Sequence, residues 1–185
     1  MKLTIPTWLT LARIGLIPVL VVVYYLDYRW TNIAATVIFV FASLTDWLDG
    51  WIARRYQQYS AFGAFLDPVA DKLAVTVALF LVVQYHATWP ITLLAAIIVS
   101  REITISALRE WMAQIGAHGL VKVAVLGKLK TIVQMVAISC LLFREDLFRL
   151  PIFLIGYVML FIAAALTLWS GADYMIAAWP RMKRA

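Results

Sequence analysis

One cysteine, two histidines and few charges leave this 185-residue chain short of the side chains on which most soluble metalloproteins and nucleic-acid-binding proteins rely. Cys140 stands alone in an apolar run, so a disulfide within one chain and a thiolate metal cluster are both excluded, and packing is its expected role. His86 and His118 have no cysteine or second histidine at ligand spacing, which argues against a zinc site and leaves both as solvated or interfacial groups. Only 14% of the residues are charged, against about a quarter in an average soluble domain. Linkers rich in Pro, Gly and Ser, low-complexity tracts and internal repeats are also missing. The longest polar connection runs from about 112 to 122, so residues 1–185 are expected to form a single domain.

Apolar residues fill the space those absences leave. They make up 64% of the chain, with a mean hydropathy of +0.89. Hydrophobic stretches recur at intervals suited to helices of about 20 residues crossing a bilayer. Six are expected, at 8 to 27, 32 to 53, 63 to 85, 89 to 110, 123 to 143 and 150 to 172. The fold class that follows is all-α and membrane-integral, a single six-helix bundle with both termini on one side. No cleavage pattern follows the first segment, so it is expected to remain as an anchor. One set of helix ends carries Lys2, Arg13, Arg54, Arg55, Arg109, Lys122, Lys128, Lys130, Arg181, Lys183 and Arg184, and the other only Arg29, Arg144 and Arg149. The bias makes the first set cytoplasmic.

The formal charge of +6 is therefore gathered at one face, which favours phospholipids and phosphorylated metabolites over nucleic acid as partners. Tyr and Trp residues such as Trp8, Tyr24, Tyr25, Trp30, Tyr85 and Trp89 fall where interfacial belts are expected. Gly15, Gly156 and Gly171 fall within or at the ends of spans, where small residues let helices approach.

Against this background four carboxylates stand out. Asp46 and Asp49 are three apart, with Gly50 and Ala53 continuing the same helical face, and Asp67 and Asp71 share a face of the next helix. A short connection folds the two walls together. Ionised Asp near hydrocarbon is costly without a counter-charge, so four of them imply a bound cation. Hard oxygen donors suit Mg²⁺ or Mn²⁺, and four Asp can hold two such ions, which would clamp a diphosphate. Gly50 and Gly63 leave room for a ligand, and Arg54 offers a fork for phosphate oxygens. The competing readings are helix caps and surface ion pairs, or a divalent-cation or proton transporter that uses the cluster as its pathway. Against a transporter, the outer halves of the segments carry almost no ionisable groups.

The string Asp46-Thr-Trp-Asp49-Gly50-Trp-Ile-Ala53-Arg54, eight residues, then Gly63-Ala-Phe-Leu-Asp67-Pro-Val-Ala-Asp71 resembles the full signature of the CDP-alcohol phosphatidyltransferases. The resemblance implies six spanning helices, two Mg²⁺ or Mn²⁺ ions on Asp46, Asp49, Asp67 and Asp71, and Asp71 as general base. It also implies that Gly50, Ala53, Arg54, Ser60 and Gly63 bind CDP-diacylglycerol, and that the protein forms a homodimer.

Beyond the signature, Ile5 to Arg13, Ser100 to Ile103, Leu108 to Glu110 and Gly127 to Thr131 are similar to the bacterial branch of that family that uses glycerol 3-phosphate. That likeness implies an enzyme of the bacterial inner membrane that moves a phosphatidyl group to glycerol 3-phosphate and releases CMP, supplying phosphatidylglycerol and cardiolipin. Thr7, Thr10 and Arg13 of the opening segment are further candidates, Thr7 standing where many relatives have Asn. Independently of the likeness, Arg101, Arg109, Lys128 and Lys130 surround the cytoplasmic ends of segments four and five and could hold an acceptor phosphate. Glu102 and Glu110 could partly neutralise Arg101 and Arg109. Serine or inositol phosphate is the alternative acceptor.

Overall fold

The computed structural model describes residues 4–56, 60–114, 125–147 and 150–182. Within them lie six helices: α1 (Ile5–Tyr24), α2 (Thr31–Tyr56), α3 (Ala61–His86), α4 (Trp89–Gln114), α5 (Val125–Phe143) and α6 (Ile152–Met182). Local chemistry sets several of their ends. Pro6 occupies the first turn of α1, where a missing N–H costs nothing. Ser60 caps α3 by accepting the Gly63 N–H at 2.9 Å, and Ala87 closes the same helix in a left-handed conformation, φ 45°.

In the bundle α1 packs on α2 and α3, α5 on α2, α3 and α6, and α4 on α3 and α6. The core runs through the helix middles, with Phe39, Leu79, Val82, Ile98, Ile138, Leu141 and Leu160 fully buried. A smaller cluster of Ile105, Leu108, Met112, Tyr174 and Ala178 joins the distal halves of α4 and α6. Large apolar side chains also cover the outside, among them Phe65, Phe80, Ile103, Phe161, Trp169 and Ile176. An apolar exterior of this kind suits lipid and is poorly tolerated in water.

Four helices are long and apolar enough to cross a membrane: Pro6–Tyr24, Thr31–Ile52, Trp89–Gln114 and Ile152–Pro180. The six expected segments thus correspond to six helices among the described residues. The described part of α5 adds a shorter apolar stretch, Leu129–Phe143. Gly156 explains the close fit of α5 and α6. A β-carbon there would stand 2.9 Å from Cys140 Cβ and 3.2 Å from the Ala137 carbonyl oxygen. Gly171 similarly faces the Arg101 side chain, whereas a β-carbon at Gly15 would meet nothing within 4 Å.

Candidate active site

Asp46 and Asp49 lie in the last turns of α2, and Asp67 and Asp71 in the first turns of α3. The antiparallel connection expected between them places all four at one end of the bundle. Asp49 is within charge range of Asp46 and Asp67, and Asp71 within range of Asp46 and Glu102.

α1 supplies the first partners. Arg13, with 1% of its side chain exposed, bridges the two α2 carboxylates: Nη1 donates to Asp46 Oδ1 at 2.6 Å and Nη2 donates to Asp49 Oδ2. One turn earlier Thr10 donates to Asp67 Oδ1 at 2.6 Å. A further turn back, Thr7 Oγ1 lies 2.9 Å from Ser60 Oγ. Thr7, Thr10 and Arg13 therefore form one fully buried polar face of α1 at spacings of three. Gly63 makes that approach possible, since a β-carbon there would come within 2.9 Å of both the Ser60 and Thr7 hydroxyl oxygens.

α4 and α5 complete the surroundings. Glu102 accepts an ion pair from Lys130, which is 3% exposed and within charge range of Asp71 and Arg101. Lys72 donates to Ser106, one turn beyond Glu102 on α4. Arg101 points elsewhere: its Nε donates to the Thr167 carbonyl at 3.1 Å and its Nη2 to Ser170 Oγ at 2.6 Å, both on α6. Arg109 also turns to α6, donating to Tyr174 Oη at 2.9 Å. Both guanidinium groups lie over the Tyr174 ring, at 5.9 and 5.1 Å from its centroid.

The four cations expected to share one acceptor phosphate are thus divided. Lys130 stands beside the carboxylates, Arg101 and Arg109 gather on Tyr174, and the Lys128 side chain lies outside the described residues, as do those of Ala53 and Arg54. The partial neutralisation of Arg101 by Glu102 acts through space, with no ion pair between them among the described residues. The two are within charge range, but adjacent helical residues point about 100° apart, so Glu102 turns to α5 while Arg101 turns to α6. The Lys72–Ser106 contact and the pairing of Glu102 with Lys130 are not legible in the sequence alone. The i, i+4 spacing of Glu102 and Ser106 was the available signal.

Among the described residues no three His, Cys, Asp or Glu side chains form a ready-made metal cage. Arg13 and Thr10 engage oxygens of three of the four Asp. The donor chemistry still fits a hard cation. Five carboxylates, counting Glu102, lie within charge range of one another in linked pairs, and the described cations among them are Arg13, Lys72, Lys130 and, beside Glu102, Arg101. That leaves an excess of negative charge which Mg²⁺ or Mn²⁺ would neutralise, with oxygen donors of the preferred type.

The sequence profile of the CDP-alcohol phosphatidyltransferase family matches residues 3–169. The chain is 52% identical over 179 residues to a protein of Yersinia pestis (strain Pestoides F) named CDP-diacylglycerol–glycerol-3-phosphate 3-phosphatidyltransferase, covering 97% of each chain. Proteins of the same name from Sodalis glossinidius and Salmonella choleraesuis are 51% and 49% identical, with 96% of each chain covered. With the α2 and α3 carboxylates facing one another across a polar end of an otherwise apolar bundle, the chain belongs to the CDP-alcohol phosphatidyltransferase family.

Proposed function

We propose that the chain transfers the phosphatidyl group of CDP-diacylglycerol to glycerol 3-phosphate, giving phosphatidylglycerophosphate and CMP. The observation that carries this reading is the likeness to enzymes of that name along almost the whole of both chains. Lys130, buried beside Asp71 and Glu102, gives it a local basis, because it offers a cation for an acceptor phosphate next to the proposed base.

Asp46, Asp49, Asp67 and Asp71 would hold two Mg²⁺ or Mn²⁺ ions, which when bound supply charge stabilisation to the diphosphate and to the departing CMP phosphate. Gly50, Ala53, Arg54, Ser60 and Gly63 flank the cytidine diphosphate. Asp71 takes the proton of the C1 hydroxyl of glycerol 3-phosphate. The freed oxygen bonds to the phosphorus that carries the diacylglycerol, and the bond from that phosphorus to the CMP oxygen breaks. Placement of both substrates and fixed charge supply most of the acceleration. Glu102 holds Lys130 in place for the acceptor. Arg13 keeps Asp46 and Asp49 together, a positioning role.

In this reading the bundle spans the bacterial inner membrane, the carboxylates face the cytoplasm with both termini, and two copies associate as a homodimer. Acyl chains remain in lipid, against an exterior already rich in exposed apolar side chains. The test is to incubate purified protein with CDP-diacylglycerol, labelled glycerol 3-phosphate and Mg²⁺, with serine and inositol phosphate as competitors. A labelled lipid phosphomonoester and stoichiometric CMP are expected, abolished by chelation and restored by Mg²⁺ or Mn²⁺. A lipid product without the label would overturn the acceptor, and activity undiminished by chelation would overturn the metals.

A further inference from the structure

At the end of the bundle away from the carboxylates, α1, α3 and α5 finish on Tyr24, His86 and Phe143. Arg144 follows α5 directly with φ 66°, a left-handed backbone that a residue with a β-carbon keeps only when its surroundings hold it. The surroundings do hold it. The guanidinium carbon lies 3.8 Å from the centroid of the Tyr24 ring and 4.0 Å from that of Tyr85, so the planar cation sits against two aromatic faces. Tyr24 is itself fixed by donating to the Leu81 carbonyl at 2.7 Å, and Asn32 donates to the Phe143 carbonyl at 2.9 Å, securing the adjoining backbone.

Among the described residues no carboxylate pairs with this well-held charge. Asp27, Glu145 and Asp146 at the same end are exposed, and none pairs with Arg144 among the described residues. Its Nε and Nη2 are closed off from solvent and have no acceptor among the described residues. Those two N–H groups form one edge of the guanidinium fork, the edge that can take two oxygens of an oxyanion side by side. Ring contacts occupy the faces of the cation and leave these in-plane donors unmatched. Charge bias does not account for the residue either, since cations favour the opposite end of the bundle.

We propose that Arg144 is a receptor for a phosphate-bearing anion at the end of the bundle remote from the reaction site. Arg13 lies eleven residues from Tyr24 along α1, about 16 Å at the helical rise, so the two sites are separate. On the membrane-spanning reading, on which this inference rests, that end lies among lipid headgroups whose phosphodiester supplies the oxyanion; free phosphate offers the same chemistry. Tyr85, which packs on the cation, is itself half exposed, so the proposed anion would approach the fork edge from its side.

The experiment compares wild type with Arg144→Gln and Arg144→Lys by native mass spectrometry after equilibration with phosphatidylglycerol or with phosphate-free glucosyl-diacylglycerol. Thermal unfolding is followed in parallel with inorganic phosphate alone. Wild type should retain one more phosphatidylglycerol per chain than Arg144→Gln, with no difference for the glycolipid. Arg144→Lys, which keeps the charge but not the paired donors, should lose about tenfold in affinity. A rise in melting temperature with inorganic phosphate, seen in wild type only, would assign the site to free phosphate; no rise, with the lipid difference kept, assigns it to headgroups. Equal retention and equal melting in wild type and Arg144→Gln would overturn the receptor. Should Arg144→Gln not fold, undiminished lipid binding by Arg144→Lys does so instead. CMP release measured on the same samples should stay at the wild-type rate in both variants, so loss of this site and failure of the proposed reaction are told apart.

Discussion

Arg13 has one pair of carboxylates to serve and almost no exposure, so its replacement has two separable consequences. Arg13→Ala removes the counter-charge of the buried Asp49, and breaking such a pair costs about 3 kcal/mol because an unmatched charge remains. A lower melting temperature is expected, together with a higher Mg²⁺ concentration for half-maximal activity. Manganese binding followed by electron paramagnetic resonance should weaken in the same variant. Arg13→Lys, which offers one ammonium to two carboxylates, should fall between; a variant that melts early but binds manganese normally would reduce Arg13 to a structural residue. Asp71→Asn should slow CMP release by about 10² to 10⁴, the range expected for loss of a general base, while membrane extraction shows the protein still inserted. Full activity would remove the base. Lys130→Ala should raise the glycerol 3-phosphate KM more than the CDP-diacylglycerol KM. Equal increases would argue against an acceptor-phosphate role.

Helix pairing carries its own predictions, because these elements approach through small residues. Gly156→Ala places a β-carbon 2.9 Å from Cys140 Cβ and 3.2 Å from a backbone oxygen of α5. The neighbouring atoms include main chain, so the helices must separate, at a cost of about 1 to 3 kcal/mol for overpacking. A fall in melting temperature with the Mg²⁺ requirement unchanged is expected, since this contact is remote from the carboxylates; an unchanged melting temperature would show that α5 and α6 can relax. Element scale is also where reading from sequence was strongest. The spacing of Asp46, Asp49, Asp67 and Asp71 placed them on two facing helical walls, because helical periodicity is local and needs no knowledge of neighbours. The polar face Thr7, Thr10 and Arg13 was present at equally regular spacing, but only packing showed that it turns inward to α2 and α3.

For the molecule as a whole, the proposed orientation can be checked in cells. Cysteines introduced singly near the two termini, in a Cys140→Ala background, should resist a membrane-impermeant thiol reagent added outside, whereas a cysteine at Thr88, in the α3–α4 turn, should react. Labelling at either terminus from outside would reverse or break the topology. Composition and the recurrence of apolar stretches pointed to an apolar helical bundle, and local spacing put four carboxylates on two helix faces at one end of it. Both depend on residues near one another along the chain. Which cation meets which carboxylate was decided by tertiary structure. Arg13 and Asp49, like Glu102 and Lys130, lie on different helices, and a step of one residue turns a side chain about 100° toward a different neighbour. Only the rotation and contact of whole helices could send Glu102 to Lys130 and Arg101 to α6.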